Sequence, residues 1–268
     1  MKFKLFLLSV FGITWRDATS AHLTDYITFL MDTSDLSAAT IRSRISAISH
    51  YYKLKLNFNP GQSYASELLL KSLDKRCGTR KLLPITKDVL QRLLRVLYTY
   101  DSRYLTHMFY VMYTFMYLLA LRISELVHYS RKFNHSLTLQ DVSLQNNKLL
   151  VLVKSGKHNT SPMSYELDCY PRLFWHYTQF LRLRGDMDGT LFRFRDNTPV
   201  SRTFFTKQLK EDLEAIGLDS TLYNSHSFRA GRTSDLALEG VSDRQIALIG
   251  RWRSDAFREY IRPTCIAL

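Results

Sequence analysis

The sequence predicts a mainly helical α+β protein of two domains, a helical one over residues 1–80 and a larger, mostly helical one over residues 81–268 that includes a small β-hairpin or sheet. Three observations lead to this prediction. Apolar residues repeat at helical spacing through most of the chain, and strand-like runs occur only between residues 148 and 167. A basic run that ends at Leu83-Pro84 separates the two helical regions.

Composition narrows the class of protein further. With 268 residues and 46% hydrophobic content, the chain is long enough to bury a core. Its formal net charge of +13 favours a polyanionic partner, because Lys and Arg that neutralise phosphates release condensed counterions. The three cysteines are widely spaced and lack a Cys-x-x-Cys pattern, so the sequence predicts no disulfide framework and no zinc site, and it favours a reducing compartment. We expect no cofactor.

Two stretches resemble membrane signals. Residues 1–13 join lysines to an apolar run, as a signal peptide does, but Trp15-Arg16-Asp17 interrupts the approach to a cleavage site and favours a first amphipathic helix. Residues 104–121 are apolar over about the length of a bilayer span, yet they run directly into Arg122. A buried helix is the better interpretation, so we expect an intracellular protein without a membrane segment.

The first domain begins with helical patterns and ends in a basic run. Ser37 is a suitable N-cap for a helix with an apolar face, and a turn over residues 57–61 leads to a short helix over 66–73. Basic residues lie on the solvent-exposed face of the helix that Ser37 caps, and others form a run over residues 71–81. Such residues are usually only solvated, but they can also contact a DNA backbone. The candidates for DNA contact are Arg42, Arg44, Lys75, Arg76 and Arg80.

The second domain begins at Thr86, which is a suitable N-cap for a helix over residues 88–97. The buried helix over 104–121 follows, and the strands over 148–153 and 163–167 form a hairpin. Four further helical patterns complete the domain, at residues 171–183, 202–216, 227–239 and 242–248.

Four short segments of this domain carry the reactive side chains. They are Leu121-Arg122-Ile123-Ser124-Glu125-Leu126, Gly156-Lys157-His158, His226-Ser227-Phe228-Arg229, and Arg251-Trp252 followed by Tyr260. Together they supply two guanidiniums, an ammonium, an imidazole, an indole and a phenol, which are the groups that cleavage of a phosphodiester without metal requires. In this order the segments resemble the active site of the tyrosine recombinase and integrase family, especially its eukaryotic transposon-encoded branch of Crypton, DIRS and Ngaro type.

The resemblance covers residues 21–262 and implies a DNA-rejoining enzyme with a core-binding domain over 1–80 and a catalytic domain over 81–268. It implies that Arg122 and Arg229 clamp the scissile phosphate, with His226 in proton transfer or phosphate binding. Tyr260 would be the nucleophile that forms a 3′-phosphotyrosyl bond, without metal or ATP.

Two roles implied by the resemblance have more than one candidate. The family's general acid is a lysine on the hairpin, within a Ser-Lys-Thr pattern. Lys157 resembles this pattern more closely, and Lys154 is the second candidate. Trp252 matches the family's His-or-Trp donor, but it lies one residue too close to Tyr260, and Arg251 falls at the usual distance.

The same resemblance implies the partners and the location. We expect double-stranded DNA, a homotetramer on two DNA sites and no membrane, in the nucleus of a eukaryote or otherwise in the cytoplasm. One alternative is a domesticated DNA-binding protein that keeps the fold and is catalytically silent. Another is a type IB topoisomerase, although the short length and the N-terminal helical unit favour recombination.

Overall fold

The computed structural model describes residues 2–76, 82–128, 135–145, 148–154, 162–167, 170–185 and 188–261. The chain divides into two compact units, residues 1–80 and 81–268. The described ranges contain no helix that is both long and apolar enough to cross a membrane.

In the first unit, the residues that the structure describes form four α-helices around one apolar core. They are α1 (Lys2–Phe11), α2 (Ser20–Thr33), α3 (Ala38–Leu56) and α4 (Tyr64–Arg76). The predicted cap of α3 is present, since the Ser37 hydroxyl accepts a hydrogen bond from the Thr40 N–H, and the helix ends at Asn57 in the left-handed conformation. Helix α1 buries Phe3, Phe6 and Leu7 in this core.

The described residues of the second unit form seven α-helices and one sheet. The helices are α5 (Lys87–Val96), α6 (Arg103–Leu118), α7 (Ile123–Leu126), α8 (Pro171–Arg184), α9 (Arg202–Ala215), α10 (His226–Leu238) and α11 (Asp243–Gly250). The strands are β1 (Val142–Gln145), β2 (Lys148–Val153) and β3 (Met163–Leu167), which pair antiparallel in the order β1-β2-β3. The predicted fold class is confirmed. Strand β1 was not predicted because it has only four residues and buries only Val142.

Helix α6 forms the centre of this unit. All of its side chains except those of Arg103 and Leu105 are buried, and helices α5, α8 and α10 pack around it. A helix that is apolar on every side belongs in the interior of a protein, as the sequence predicted for this stretch. The helix ends at Leu118, earlier than predicted, because Ala120 takes a left-handed conformation with φ of 44°. Arg122 follows immediately.

The segment before α5 lies directly on α10. The Ile85 N–H donates to the Ser227 carbonyl at 2.8 Å, and the Leu83 N–H donates to the Leu222 carbonyl at 2.8 Å. A Cβ atom at Gly231 would overlap the Ile85 carbonyl. Glycine at this position therefore allows the close approach that fixes the start of α10.

Two imidazoles form a buried pair between α6 and α8. The Nδ1 atoms of His107 and His176 are 2.9 Å apart, and the His176 Nε2 lies 2.9 Å from the Tyr98 hydroxyl. The Tyr110 ring stacks on His176 with a centroid distance of 3.6 Å. Burial lowers the pKa of both imidazoles, and that of His176 falls to about 4. Positive charge lowers them further, from Arg103 on His107 and from His107 and Arg172 on His176. Both rings are therefore neutral near pH 7.

We expect the free energy of unfolding to fall as the pH is lowered from 6.5, the ordinary pKa of an imidazole, towards the folded value of about 4 for His176. In this pH range the imidazoles of the unfolded chain are protonated, whereas those of the folded pair stay neutral. The stabilisation present above pH 6.5 is therefore lost on acidification. Urea titrations over this range measure the slope. His176→Gln should flatten it, whereas the exposed His50→Gln should leave it unchanged. A slope that survives His176→Gln would assign the acid sensitivity to other groups.

Candidate active site

The first predicted arginine lies at the N-terminus of α7. The Arg122 Nη1 donates to the Glu125 Oε1 at 3.0 Å, and the Arg122 N–H donates to Oε2 at 2.8 Å. The Glu125 side chain is buried, while that of Arg122 is 23% exposed. The carboxylate therefore orients a guanidinium that a ligand can still reach. Among the described residues, Glu125 is the only hydrogen-bond partner of the Arg122 side chain.

A second guanidinium holds the same carboxylate. The Arg251 Nη2 donates to the Glu125 Oε2 at 2.8 Å, and the Arg251 backbone is left-handed, with φ of 59°, where α11 ends. The Arg251 Nη1 donates to the Leu119 carbonyl at 3.1 Å and to the Tyr165 hydroxyl on β3. Glu125 is thus shared between Arg122 and Arg251.

Arg229 on α10 is only 1% exposed. Its Nη1 donates to the Ala120 carbonyl at 2.6 Å, and its Nη2 donates to the Gly250 carbonyl. These carbonyls lie where α6 and α11 end, and helix C-termini offer unpaired oxygens and a negative dipole to a cation. Burial, followed by the charges of Arg122 and Arg251, lowers the pKa of Arg229, but a guanidinium keeps its proton in proteins. A buried charge is therefore held mainly by backbone oxygens.

Two aromatic rings cover this buried guanidinium. The Arg229 Cζ lies 3.8 Å from the centroid of the Trp252 ring and 5.7 Å from that of Tyr260, and the two rings are 5.3 Å apart. Tyr260 ends a 3₁₀ helix, Asp255–Tyr260, and none of the described residues hydrogen-bonds its hydroxyl. The predicted nucleophile and indole thus lie against the predicted phosphate-binding arginine.

A small separate core anchors this aromatic segment. Leu236 on α10, Ile246 on α11 and Phe257 in the 3₁₀ helix form it, with Trp252 packed at its edge. Gly250 permits the position of the indole, because a Cβ atom there would overlap the six-membered ring of Trp252.

His226 is the first residue of α10 and is exposed. Partial desolvation by the surrounding groups lowers its pKa, and the positive charges of Arg229, Arg202 and Arg122 lower it further. The imidazole is therefore neutral near pH 7 and able to accept a proton. The positive charges that lower the pKa of His226 thus include those of both predicted phosphate-binding arginines, Arg122 and Arg229.

The two candidate lysines differ in what the structure describes. The Lys154 Nζ lies 2.7 Å from the Oδ2 of the buried Asp141 and 3.4 Å from the Thr138 hydroxyl. Its ammonium is thus engaged in an ion pair at the end of β2. Lys157 lies outside the described residues.

The candidate DNA contacts of the first unit are in different situations. The Arg42 guanidinium donates to the Leu70 carbonyl on α4, and Arg44 is half-buried near Tyr26. Lys75 and Arg76 lie in the last turn of α4, and Arg80 falls outside the described residues. Of the two described guanidiniums, that of Arg42 is therefore engaged with the backbone of α4.

A sequence model described as the phage integrase family matches residues 84–263 of the chain. The matched segment contains every side chain of the cluster around Arg229. A search of curated protein sequences found no match.

Several solved structures share the fold. A structure of the XerH site-specific recombinase bound to difH substrate, a pre-cleavage complex, has a TM-score of 0.68 at 14% identity and covers 97% of this chain and 72% of its own. A post-cleavage complex of XerH on palindromic difH substrate gives 0.70 at 16% identity, with the same coverage. The Tn1549 transposon integrase in complex with transposon right end DNA gives 0.68 at 13% identity and covers 93% of this chain and 82% of its own. At these identities the likeness concerns the fold alone.

We expect Gly250→Ala to displace the Trp252 indole from Arg229, because the added methyl group would occupy the place of the ring. In a Trp15→Phe, Trp175→Phe background, Trp252 is the only tryptophan, and its emission should move to longer wavelength with greater acrylamide quenching. Gly240→Ala is the matched control, since it has open space around it and only adds backbone strain. Unchanged Trp252 emission in Gly250→Ala would contradict the packing described.

Proposed function

Because this chain belongs to the phage integrase family, we propose that it is a site-specific DNA recombinase or integrase that cleaves and rejoins DNA through a 3′-phosphotyrosyl intermediate. One observation carries the proposal: the Tyr260 ring lies beside the buried guanidinium of Arg229, with the Trp252 ring packed close to both. A phenol attacks poorly at its ordinary pKa near ~10, so a cationic surrounding of this kind is what a tyrosine nucleophile needs.

The charges of the cluster suit a phosphate. Three guanidiniums, those of Arg122, Arg229 and Arg251, have one carboxylate among their described hydrogen-bond partners, and an excess of positive charge remains. Phosphoryl transfer depends mainly on positioning and on stabilising the negative charge that develops on the nonbridging oxygens. Trp252 and Tyr260 cover Arg229, so a phosphate oxygen reaches its unused N–H groups when these rings shift.

In the proposed reaction the Tyr260 oxygen attacks phosphorus and the bond from phosphorus to the 5′-oxygen breaks. His226, neutral near pH 7, is suited to accept the phenol proton, and the indole of Trp252 to donate to the phosphate. The leaving 5′-oxygen takes a proton from a lysine. We assign this role to Lys157, because the Lys154 ammonium is paired with Asp141. Attack by a second 5′-hydroxyl then restores the phosphodiester, and no step calls for metal or ATP.

The proposed partner is double-stranded DNA, bound by a homotetramer that joins two sites. Support comes from the net charge of +13 and from the fold shared with recombinases solved on DNA. The motif pattern places the chain, in this proposal, in the eukaryotic transposon-encoded branch, where it would act in the nucleus; in a bacterium it would act in the cytoplasm. The alternative, a catalytically silent DNA-binding protein, is less favoured because the described catalytic roles are filled.

Tyr260→Phe should abolish covalent capture of DNA and leave DNA affinity nearly unchanged. The substitution removes one oxygen and keeps the ring that packs beside Arg229 and Trp252. The measurement is gel detection of the protein–DNA adduct on a nicked suicide substrate that carries the element's terminal repeat. Tyr165→Phe is a matched control for loss of a tyrosine hydroxyl and should still form the adduct, although more slowly.

The outcomes of this experiment separate the proposals. An adduct formed by Tyr260→Phe would move the nucleophile to another of the 16 tyrosines. A wild-type protein that binds its cognate DNA tightly and never captures it would establish the silent DNA-binding alternative.

Lys157→Ala should slow cleavage far more than Lys154→Ala. If Lys157 protonates the leaving oxygen, a substrate with sulfur in place of the 5′-oxygen should restore the rate of Lys157→Ala, because thiolate leaves without an acid. Single-turnover cleavage rates on the two substrates measure the effect. Restoration of Lys154→Ala instead would assign the acid to Lys154 and would mean that its ion pair with Asp141 opens on DNA.

A further inference from the structure

Arg251 lies nine residues before Tyr260. At this spacing the family resemblance implies a side chain that donates a hydrogen bond to the scissile phosphate. Its side chain is only 4% exposed. The Nη2 donates to Glu125, and the Nη1 donates to the Leu119 carbonyl and to the Tyr165 hydroxyl. Both terminal nitrogens are therefore already engaged within the protein.

Trp252, the next residue, is placed differently. Its ring centroid lies 3.8 Å from the Cζ of Arg229 and 5.3 Å from the ring of Tyr260, so Trp252 is part of the cluster around Arg229. Arg251 instead shares Glu125 with Arg122, with one carboxylate oxygen bonded to each guanidinium. The two neighbours in the chain thus serve different parts of the site.

We propose that Arg251 is a positioning residue: it holds Glu125 so that the carboxylate orients Arg122, and it leaves phosphate contact to Arg122 and Arg229. A buried carboxylate between two guanidiniums has both oxygens fixed, whereas a carboxylate that loses one partner becomes a poorly compensated buried charge and can turn. The structural part of this proposal concerns the chain alone, and its catalytic consequence rests on the proposed function.

The guanidinium of Arg251 is hydrogen-bonded to the end of α6 and to β3. Carbonyls at the end of α6 accept from its Nη1 and Nη2, at 3.1 Å from Leu119 and 3.4 Å from Ala120. Tyr165 on β3 accepts from Arg251 and donates to the Ile249 carbonyl at 2.7 Å. Through Arg251 the orientation of Arg122 therefore depends on the sheet as well as on α6 and α11.

The first test measures the Arg122 guanidinium directly and needs no DNA. In nitrogen-15 spectra of the full-length, arginine-labelled protein, the Nη groups of Arg122 should rotate slowly in the wild type and several-fold faster in Arg251→Gln, because the ion pair that restrains them loosens. Arg184→Gln is the control, since Arg184 is also buried and bonded to carbonyls, those of Gly185, Thr190 and Leu191. Unchanged rotation at Arg122 in Arg251→Gln would overturn the proposal.

The second test is a double-mutant cycle on covalent capture, with Arg251→Gln, Glu125→Gln and the double variant. Misplacement of a clamping group by about 1 Å costs about 100-fold in rate, so each single variant should lose about that factor, and the double variant should lose no more than the worse single one. If the loss in the double variant equals the product of the two single losses, Arg251 acts independently of Glu125, as a hydrogen-bond donor to the phosphate would. That result would overturn the proposal.

Tyr165→Phe covers the case in which Arg251→Gln does not fold. It removes one acceptor of Arg251 and keeps the ring, so it should speed Arg122 rotation and slow capture in the same direction by smaller factors; no change in either would count against the proposal. If wild-type protein never captures DNA, the proposed function fails, and the Arg122 rotation still decides whether Arg251 positions it.

Discussion

The site depends on one interaction, the binding of a buried guanidinium by the carbonyls at the ends of two helices. Arg229 donates to Ala120 after α6 and to Gly250 at the end of α11, and none of the described residues gives it a carboxylate. A buried cation is costly to leave unpaired, so α6, α10 and α11 must meet with their ends aligned. The left-handed turn at Ala120 and the close packing of Gly231 on Ile85 serve that alignment.

The same cluster contains three guanidiniums, and one carboxylate bonds two of them. A second carboxylate would lower the excess of positive charge further, whereas the loss of Glu125 would remove the described hydrogen-bond partner of the Arg122 guanidinium. Glu125 bonds Arg122 and Arg251, and Arg229 relies on helix ends, whose partial charges stabilise it without cancelling it. The cluster thus keeps a net positive charge around the buried guanidiniums of Arg229 and Arg251.

Much of this could be predicted from local pattern. The helices around residues 171–183 and 202–216 follow from apolar spacing, and the ordered motifs indicated the family that the sequence model matches. Contacts between distant residues could not be predicted: Glu125 and Arg251 are 126 positions apart, and only their spacing from Arg122 and Tyr260 hinted at a role. The early end of α6 at Leu118 was missed because an alanine gives no signal for a left-handed turn. The roles of Lys157 and of the basic residues of the first domain stay predictions.

The contact of Gly250 with Trp252 also bears on how such a gene can change over generations. Any side chain at position 250 displaces the indole, so a larger residue there is compatible with the site only together with a smaller one at 252. Substitutions at positions 250 and 252 should therefore occur together. The side chain of Arg251, between them in the chain, is bonded to Glu125 instead. A chain that has lost Gly250 and kept Trp252 would therefore have a displaced indole beside Arg229, even with Tyr260 and the arginines intact.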